Sequence, residues 1–183
     1  MIRSAHEAGL GYEDYLQTDP GKADAWREVR QQLELNQAQL DLLGGFTRTI
    51  KAICISGIWC GDCSSQGPMI QAIADATDCI DLAWLDRDEY PELASRVMIN
   101  KGMRVPVLIL AAEDHELVSV FGDRTLNRYR AMAESRLGPA CPVPGASIPR
   151  DQLHANMQDF LDEFERVHLL LRLSTRLRMI HGD

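Results

Sequence analysis

Little in this sequence suits a secreted scaffold held together by disulfides. Its 183 residues contain only five cysteines, an odd number, at positions 54, 60, 63, 79 and 141. Small secreted domains are far denser in cysteine and pair it evenly. Basic charge is also short: 19 Lys and Arg against 27 Asp and Glu leave a formal net charge of −8. Nucleic acid is therefore not the expected partner, because phosphate binding needs a basic surface. The same balance disfavours an anionic lipid surface. No apolar run approaches the roughly 20 residues of a membrane span; the longest, 105–112, has the length of a strand. The first residues lack the apolar stretch of a secretory leader and reach Glu7 early. These absences together describe a soluble, cytoplasmic protein with no membrane association.

What is present is an ordinary globular composition, 45% hydrophobic and 25% charged, in a chain long enough to bury a core. Residues 1–48 read as a helical extension. Asp19-Pro20-Gly21 breaks it, and a helix with Trp26, Val29 and Leu33 on one stripe follows from about residue 23 to 35. Asn36 followed by Gln39 resembles a capping box opening another helix, which ends at Gly44-Gly45. From residue 49 the pattern changes. Segments 50–56, 80–86, 105–110 and 117–121 are apolar and rich in β-branched residues, as buried strands are. Helical spacing fills 63–76, about 91–99 and about 124–137, so 49–138 reads as β-α-β-α-β-β-α. The crossovers predict parallel early strands, and the polar turn 113–116 predicts a closing antiparallel hairpin. Three prolines within 138–145 make a stiff linker. It opens a last segment, 139–183, whose Leu153, Met157, Phe160, Leu161, Phe164, Val167 and Leu171 recur at helical steps to about residue 179.

The chemistry sits in Trp59-Cys60-Gly61-Asp62-Cys63, where the first strand meets a helix. A thiolate, not a thiol, attacks a disulfide. Backbone N–H groups and the helix dipole at a helix N-terminus favour that anion, so Cys60 should be acidic. Cys63, one turn further in, should be more buried and less acidic. The spacing suits attack by Cys60 and resolution by Cys63. A Cys-x-x-Cys can also be half a zinc site, but a second ligand pair is absent from the sequence. A purely structural disulfide is the other plain reading. Cys79 and Cys141 read as bystanders, Cys141 being the one open to incidental oxidation. The histidines show no partner spacing and receive no role. Asp86, Arg87, Asp88 and Glu89 read as a solvated loop, and Asp123-Arg124 as a helix cap.

Segment 50–137 resembles thioredoxin. The Trp-Cys-x-x-Cys at a strand-to-helix junction, Pro68 five residues after Cys63, and Val105-Pro106 before the third strand carry the likeness. Tyr12-Glu13-x-Tyr15-Leu16, Leu85-Asp86-Arg87-Asp88 and Gly122-Asp123-Arg124 extend it to a bacterial thioredoxin-like subfamily with a helical N-terminal extension, and this resemblance implies that the charged groups at 86–89 and 123–124 line the face near the motif. The resemblance implies a thioredoxin fold with a mixed central sheet. It implies a thiol–disulfide oxidoreductase acting on protein disulfides, and the Asp62 charge close to Cys60 adds the expectation that the centre is reducing rather than oxidising. Cys60 and Cys63 would be catalytic, with Trp59, Gly61, Asp62, Val105 and Pro106 shaping the partner surface. It also implies a cis Pro106, where the residues alone suggest a trans proline opening an edge strand. No bound cofactor or metal is called for; electrons would come from a reductase or a small thiol.

Two departures stand out. Thioredoxins keep a buried Asp six residues before the first motif cysteine, and here Cys54 holds that place; the companion Lys position holds Leu82. Cys54 reads either as a small buried hydrophobe or as a third redox thiol. Thioredoxins also carry Pro where Asp62 stands. Asp62 favours the helix dipole yet opposes a Cys60 thiolate, and sequence does not rank the two effects. A non-catalytic adaptor module on the same fold is the competing functional class. For the C-terminal helix two readings stand: packing on the domain, or the seam of a homodimer.

Overall fold

The computed structural model describes residues 1–137 and 150–182. The linker reading of 138–145 and Cys141 lie outside the described residues. Four helices come first: α1 (Ile2–Ala8), α2 (Tyr12–Gln17), α3 (Pro20–Gln31) and α4 (Gln37–Gly44). Then follow β1 (Ile50–Ser56), α5 (Gly61–Asp75), β2 (Ile80–Asp86), α6 (Pro91–Arg96), β3 (Val107–Ala111), β4 (Leu117–Gly122) and α7 (Leu126–Leu137). Helices α8 (Gln152–Leu173) and α9 (Thr175–His181) end the described chain.

The local rules operate with two corrections. Asn36 and Gln39 form the expected capping box, with reciprocal bonds of 3.1 and 3.0 Å. Asp19-Pro20-Gly21 separates α2 from α3 as expected, but it also starts α3, at Pro20 rather than near residue 23. Asp19 accepts the Gly21 N–H at 3.1 Å, and Pro20 fills the first helical position, where its missing N–H costs nothing. The C-terminal helix stops at Ser174 rather than near 179, because the Ser174 hydroxyl accepts the Leu177 N–H and caps α9.

The sheet has the order β2-β1-β3-β4. β1 and β2 are parallel, as a crossover through α5 demands. β3 is antiparallel to both β1 and β4, which corrects the expectation of parallel early strands. The connection runs through the short α6 and the loop 97–106, which comes back to the motif end of the sheet, where Val105 meets Cys60. β3 therefore starts at that end. Central β1 is buried at nearly every position, which explains its unbroken apolar run.

The extension shares this core. Tyr12 and Tyr15 of α2, Trp26 of α3 and Trp84 of β2 meet with ring centroids 5.4–6.3 Å apart, and the Tyr15 ring stacks on Trp84. Leu10 adds an antiparallel bridge to the outer edge of β2, exchanging 2.9 Å bonds with Trp84. Aromatic pairs add about 0.5–1.5 kcal/mol each beyond their buried area. The Arg30–Asp75 surface pair at 2.9 Å adds at most about 1 kcal/mol. Apolar packing thus holds the extension down. The stripe of α8 is covered by this chain's own α5, α7 and β4, so the structure realises the packing reading for those residues. His168 on α8 is buried, stacks on Phe46 at 4.1 Å and accepts the Thr47 N–H at 2.9 Å, a structural role. Among the described residues no helix is long and apolar enough to cross a membrane.

Candidate redox site

The site lies where β1 ends. Cys60 is the N-cap residue of α5 in extended backbone, so its sulfur faces the free N–H groups of the first turn. Cys60 is partly exposed and Cys63 fully buried, and both are free thiols. The Cys63 thiol donates toward the Cys60 sulfur, the largest of the influences that hold the Cys60 pKa down at about 6. Burial opposes this. The N–H groups of Cys63 and Asp62 assist, and the Asp62 charge is the smallest opposing influence. Burial, and then the neighbouring Cys60, push Cys63 far above an ordinary thiol. The pair therefore holds one proton at neutral pH, on the inner sulfur.

That ranking resolves the conflict at Asp62. Asp62 Oδ2 is bonded to the Arg124 guanidinium, and Oδ1 lies 3.3 Å from Arg128. Two cations screen its charge from Cys60. Arg124 in turn meets Asp123 at 2.8 Å, and Arg104 reaches the same carboxylate at 3.1 Å. Burial pushes the Asp123 carboxyl up, but bonds from the Tyr129 hydroxyl and Arg104 outweigh it and keep the group below the usual carboxylate range. Asp123 is 3% exposed and therefore sits inside a charge network instead of capping a helix. The cap of α7 is Thr125, whose hydroxyl accepts the Arg128 N–H at 3.2 Å. Buried Gln66 ties α5 to this loop, donating to the Asp123 carbonyl and accepting the Thr125 N–H.

Of the residues expected to shape a partner surface, Trp59, Val105 and Pro106 lie around Cys60, Asp62 is held by the two arginines, and Gly61 stands apart. The Cys60 sulfur is 3.8 Å from the Val105 carbonyl oxygen, and the Val105–Pro106 peptide bond is cis. Pro106 lies just before β3, not within it. The Gly122–Asp123 bond is also cis, and Gly122 has φ +154° with the Pro106 carbonyl where a Cβ would stand. Only glycine allows the two loops to touch there. Trp59 stands 48% exposed beside the thiol. The Arg87 guanidinium lies 4.7 Å over its ring and donates to the Met103 carbonyl, so the charged run after β2 is no mere solvated loop. Gly61 opens α5 with nothing near the position of a Cβ. Its spacing role needs no glycine. Cys54 is buried in β1 with its pKa pushed up by desolvation alone, as a small hydrophobe would be. The resemblance places Arg87 and Arg124 on the face near the motif, whereas sequence reasoning missed Arg104, Arg128 and Tyr129 as supports of the motif. The signal available was an unpaired acid inside it, which demands a cation from elsewhere in the fold.

A pH dependence follows. Below about 6 Cys60 is a thiol, and above it a thiolate. The rate of its alkylation by iodoacetamide should rise through pH 6 and level off before pH 8, since only the thiolate reacts. A midpoint near the ordinary value of about 8.5 would contradict this assignment.

A thioredoxin family model matches residues 9–135. Thioredoxin H2 of Arabidopsis thaliana is 31% identical over 67 residues, 37% of this chain and 48% of that protein. The chain thus spans about half the length of this curated relative. Among solved structures, a protein of unknown function from Pseudomonas aeruginosa superposes with a TM-score of 0.61 at 18% identity, over 97% of this chain and 95% of that one. An HIV epitope-scaffold does so with a TM-score of 0.62 at 16% identity, over 99% and 98%. At such identities the likeness speaks for the fold alone, and it includes the terminal helices. With a matched segment that runs from just before α2 into α7 and holds the motif, the chain belongs to the thioredoxin family.

Proposed function

We propose that this protein is a reducing thiol–disulfide oxidoreductase that acts on protein disulfides through Cys60 and Cys63. One observation carries the reading. A partly exposed free thiol, Cys60, stands at the N-cap of α5 beside a fully buried one, Cys63, a placement that lowers the pKa of the first and raises that of the second. The Cys60 thiolate attacks a substrate disulfide, forms a mixed disulfide and expels one substrate thiolate. Cys63 then loses its proton, attacks the Cys60 sulfur and expels the second. Two electrons pass to the substrate, and the protein is left with a Cys60–Cys63 disulfide. A reductase or a small thiol returns the electrons; no bound cofactor takes part. Exposed Trp59 and the Val105 backbone receive an extended substrate segment by strand addition. A Cys60 pKa of about 6 lies nearer the value of thioredoxin, about 7, than that of the strong oxidant DsbA, about 3.5, which supports the reducing direction. A cytoplasmic location accords with that chemistry.

The test is reduction of insulin by dithiothreitol, followed by turbidity, with the native protein and Cys60→Ser. The native protein should accelerate precipitation and the variant should not. Equal rates would return the protein to the class of non-catalytic binding modules.

A further inference from the structure

Resting on that function, a second question concerns the buried thiol. Cys63 must become a thiolate to resolve the mixed disulfide, yet it is fully buried and Cys54 supplies no carboxylate. What the fold supplies is two hydroxyls. Cys54 and Ser56 point to the same face of β1, since side chains alternate along a strand. Ser56 is 0% exposed, and although it makes no hydrogen bond its hydroxyl is near enough to the Cys63 sulfur to lower that thiol's pKa against the larger upward push of burial. On its other side it is near the hydroxyl of Tyr15, 1% exposed on α2 of the extension, whose pKa burial raises and Ser56 moderates. Neither hydroxyl oxygen reaches a partner at full hydrogen-bond distance.

Two orphaned hydroxyls beside one buried thiol demand a reason, because burying an unsatisfied polar group is costly. Neutral sulfur is a weak acceptor and returns little. A thiolate is a strong one, as charge-assisted bonds are. The pair is therefore under-satisfied in the resting dithiol and satisfied when charge develops on Cys63, the arrangement that lowers a barrier instead of deepening the ground state.

We propose that Ser56 and Tyr15 are positioning residues for the resolving step, forming a donor chain in which the Tyr15 hydroxyl donates to Ser56 and the Ser56 hydroxyl donates to the Cys63 thiolate. The chain stands in for the missing carboxylate by stabilising the anion rather than by removing its proton. That proton ends in water or on the substrate thiolate expelled in the first exchange. Cys63 sulfur then bonds to Cys60 sulfur, the bond from Cys60 to the substrate breaks, and the second substrate thiolate leaves. The N-terminal extension thus completes the redox site from behind, through Tyr15.

The experiment uses the full chain with Cys79→Ser and Cys141→Ser, mixed with 5,5′-dithiobis(2-nitrobenzoate) and read at its thionitrobenzoate absorbance. Attack by Cys60 releases a first equivalent and resolution by Cys63 a second. Ser56→Ala and Tyr15→Phe should leave the first phase unchanged within about twofold and slow the second by about tenfold or more, as loss of a preorganised donor does. The pH profile of the second phase should shift upward, because a thiolate without its donor forms only at higher pH. Ser56→Thr, which keeps the hydroxyl, should restore most of the rate. Tyr15→Phe keeps the ring on Trp84 and removes an unsatisfied group, so it should melt no lower than its parent. A second phase unchanged in both variants would overturn the donor chain and leave the oxidoreductase standing. Equal slowing of both phases, or no rescue by threonine, would also overturn it, by making the role merely structural. A parent that never releases its second equivalent would instead sink the function on which the inference rests.

Discussion

Cys63→Ser should retain the first exchange and lose the second, so that substrate proteins accumulate on Cys60 as mixed disulfides. The serine hydroxyl fits the space of the thiol but cannot attack sulfur to form a disulfide. Release then waits for an external thiol. Well-oriented intramolecular nucleophiles act at effective concentrations of about 10⁵ M or more, about eight orders of magnitude above millimolar external thiol, so release should become too slow to observe on the time scale of the native reaction. Non-reducing electrophoresis should show the adducts, and dithiothreitol should collapse them. The variant also removes the thiol that donates to Cys60, the largest influence holding its pKa down. Attack at pH 7 should therefore slow modestly, because the Cys60 pKa rises and less thiolate is present. Adducts that turn over as fast as with the native protein would show that Cys63 is not the resolving group.

The parts of this site that were legible in sequence are local ones. Strands 50–56 and 80–86 match the structure to the residue, because a β-branched run between turn signals leaves few alternatives. The motif at a strand-to-helix junction, and the capping box at Asn36, are likewise written within a few residues. What sequence did not reveal depends on the path of the chain. The direction of β3 is set by a connection that comes back to the motif end of the sheet, and hydrophobic pattern carries no record of that path. The cations that screen Asp62 come from 62 and 66 positions away, in a segment whose own pattern suggested only a cap. Tyr15 and Ser56 were each visible, one in an extension and one at a strand end. Their meeting at Cys63 follows from how α2 packs, and no spacing rule encodes that.

Gly67→Ala should be the most damaging single methyl added to this fold. A Cβ at Gly67 would lie 2.1 Å from Trp26 Cζ3 and 2.8 Å from Cη2, well inside contact distance. Neither side has room to yield. Gly67 is in the middle of α5, followed by Pro68, and is packed in the core. The Trp26 indole is fully buried, edge-on to Trp84 and Tyr15, and its Nε1–H donates to the Ile58 carbonyl at 3.2 Å. Overpacking typically costs about 1–3 kcal/mol, and with two rigid walls the upper end applies. The helical preference for alanine over glycine returns only about 1 kcal/mol. A net loss of about 2 kcal/mol should lower the melting temperature by roughly 4–8 °C for a chain of this size. Denaturant titration of Gly67→Ala, Trp26→Phe and the double variant separates the clash from other losses. The smaller ring should absorb part of the added methyl, giving a favourable coupling energy between the two sites. The consequence reaches the motif, because Ile58 immediately precedes Trp59 and takes its bond from the displaced indole. Insulin reduction should therefore fall in Gly67→Ala even at temperatures where it stays folded. Unchanged stability and unchanged activity together would show that α3 packs against α5 more loosely than a Trp26 ring seated on Gly67 requires.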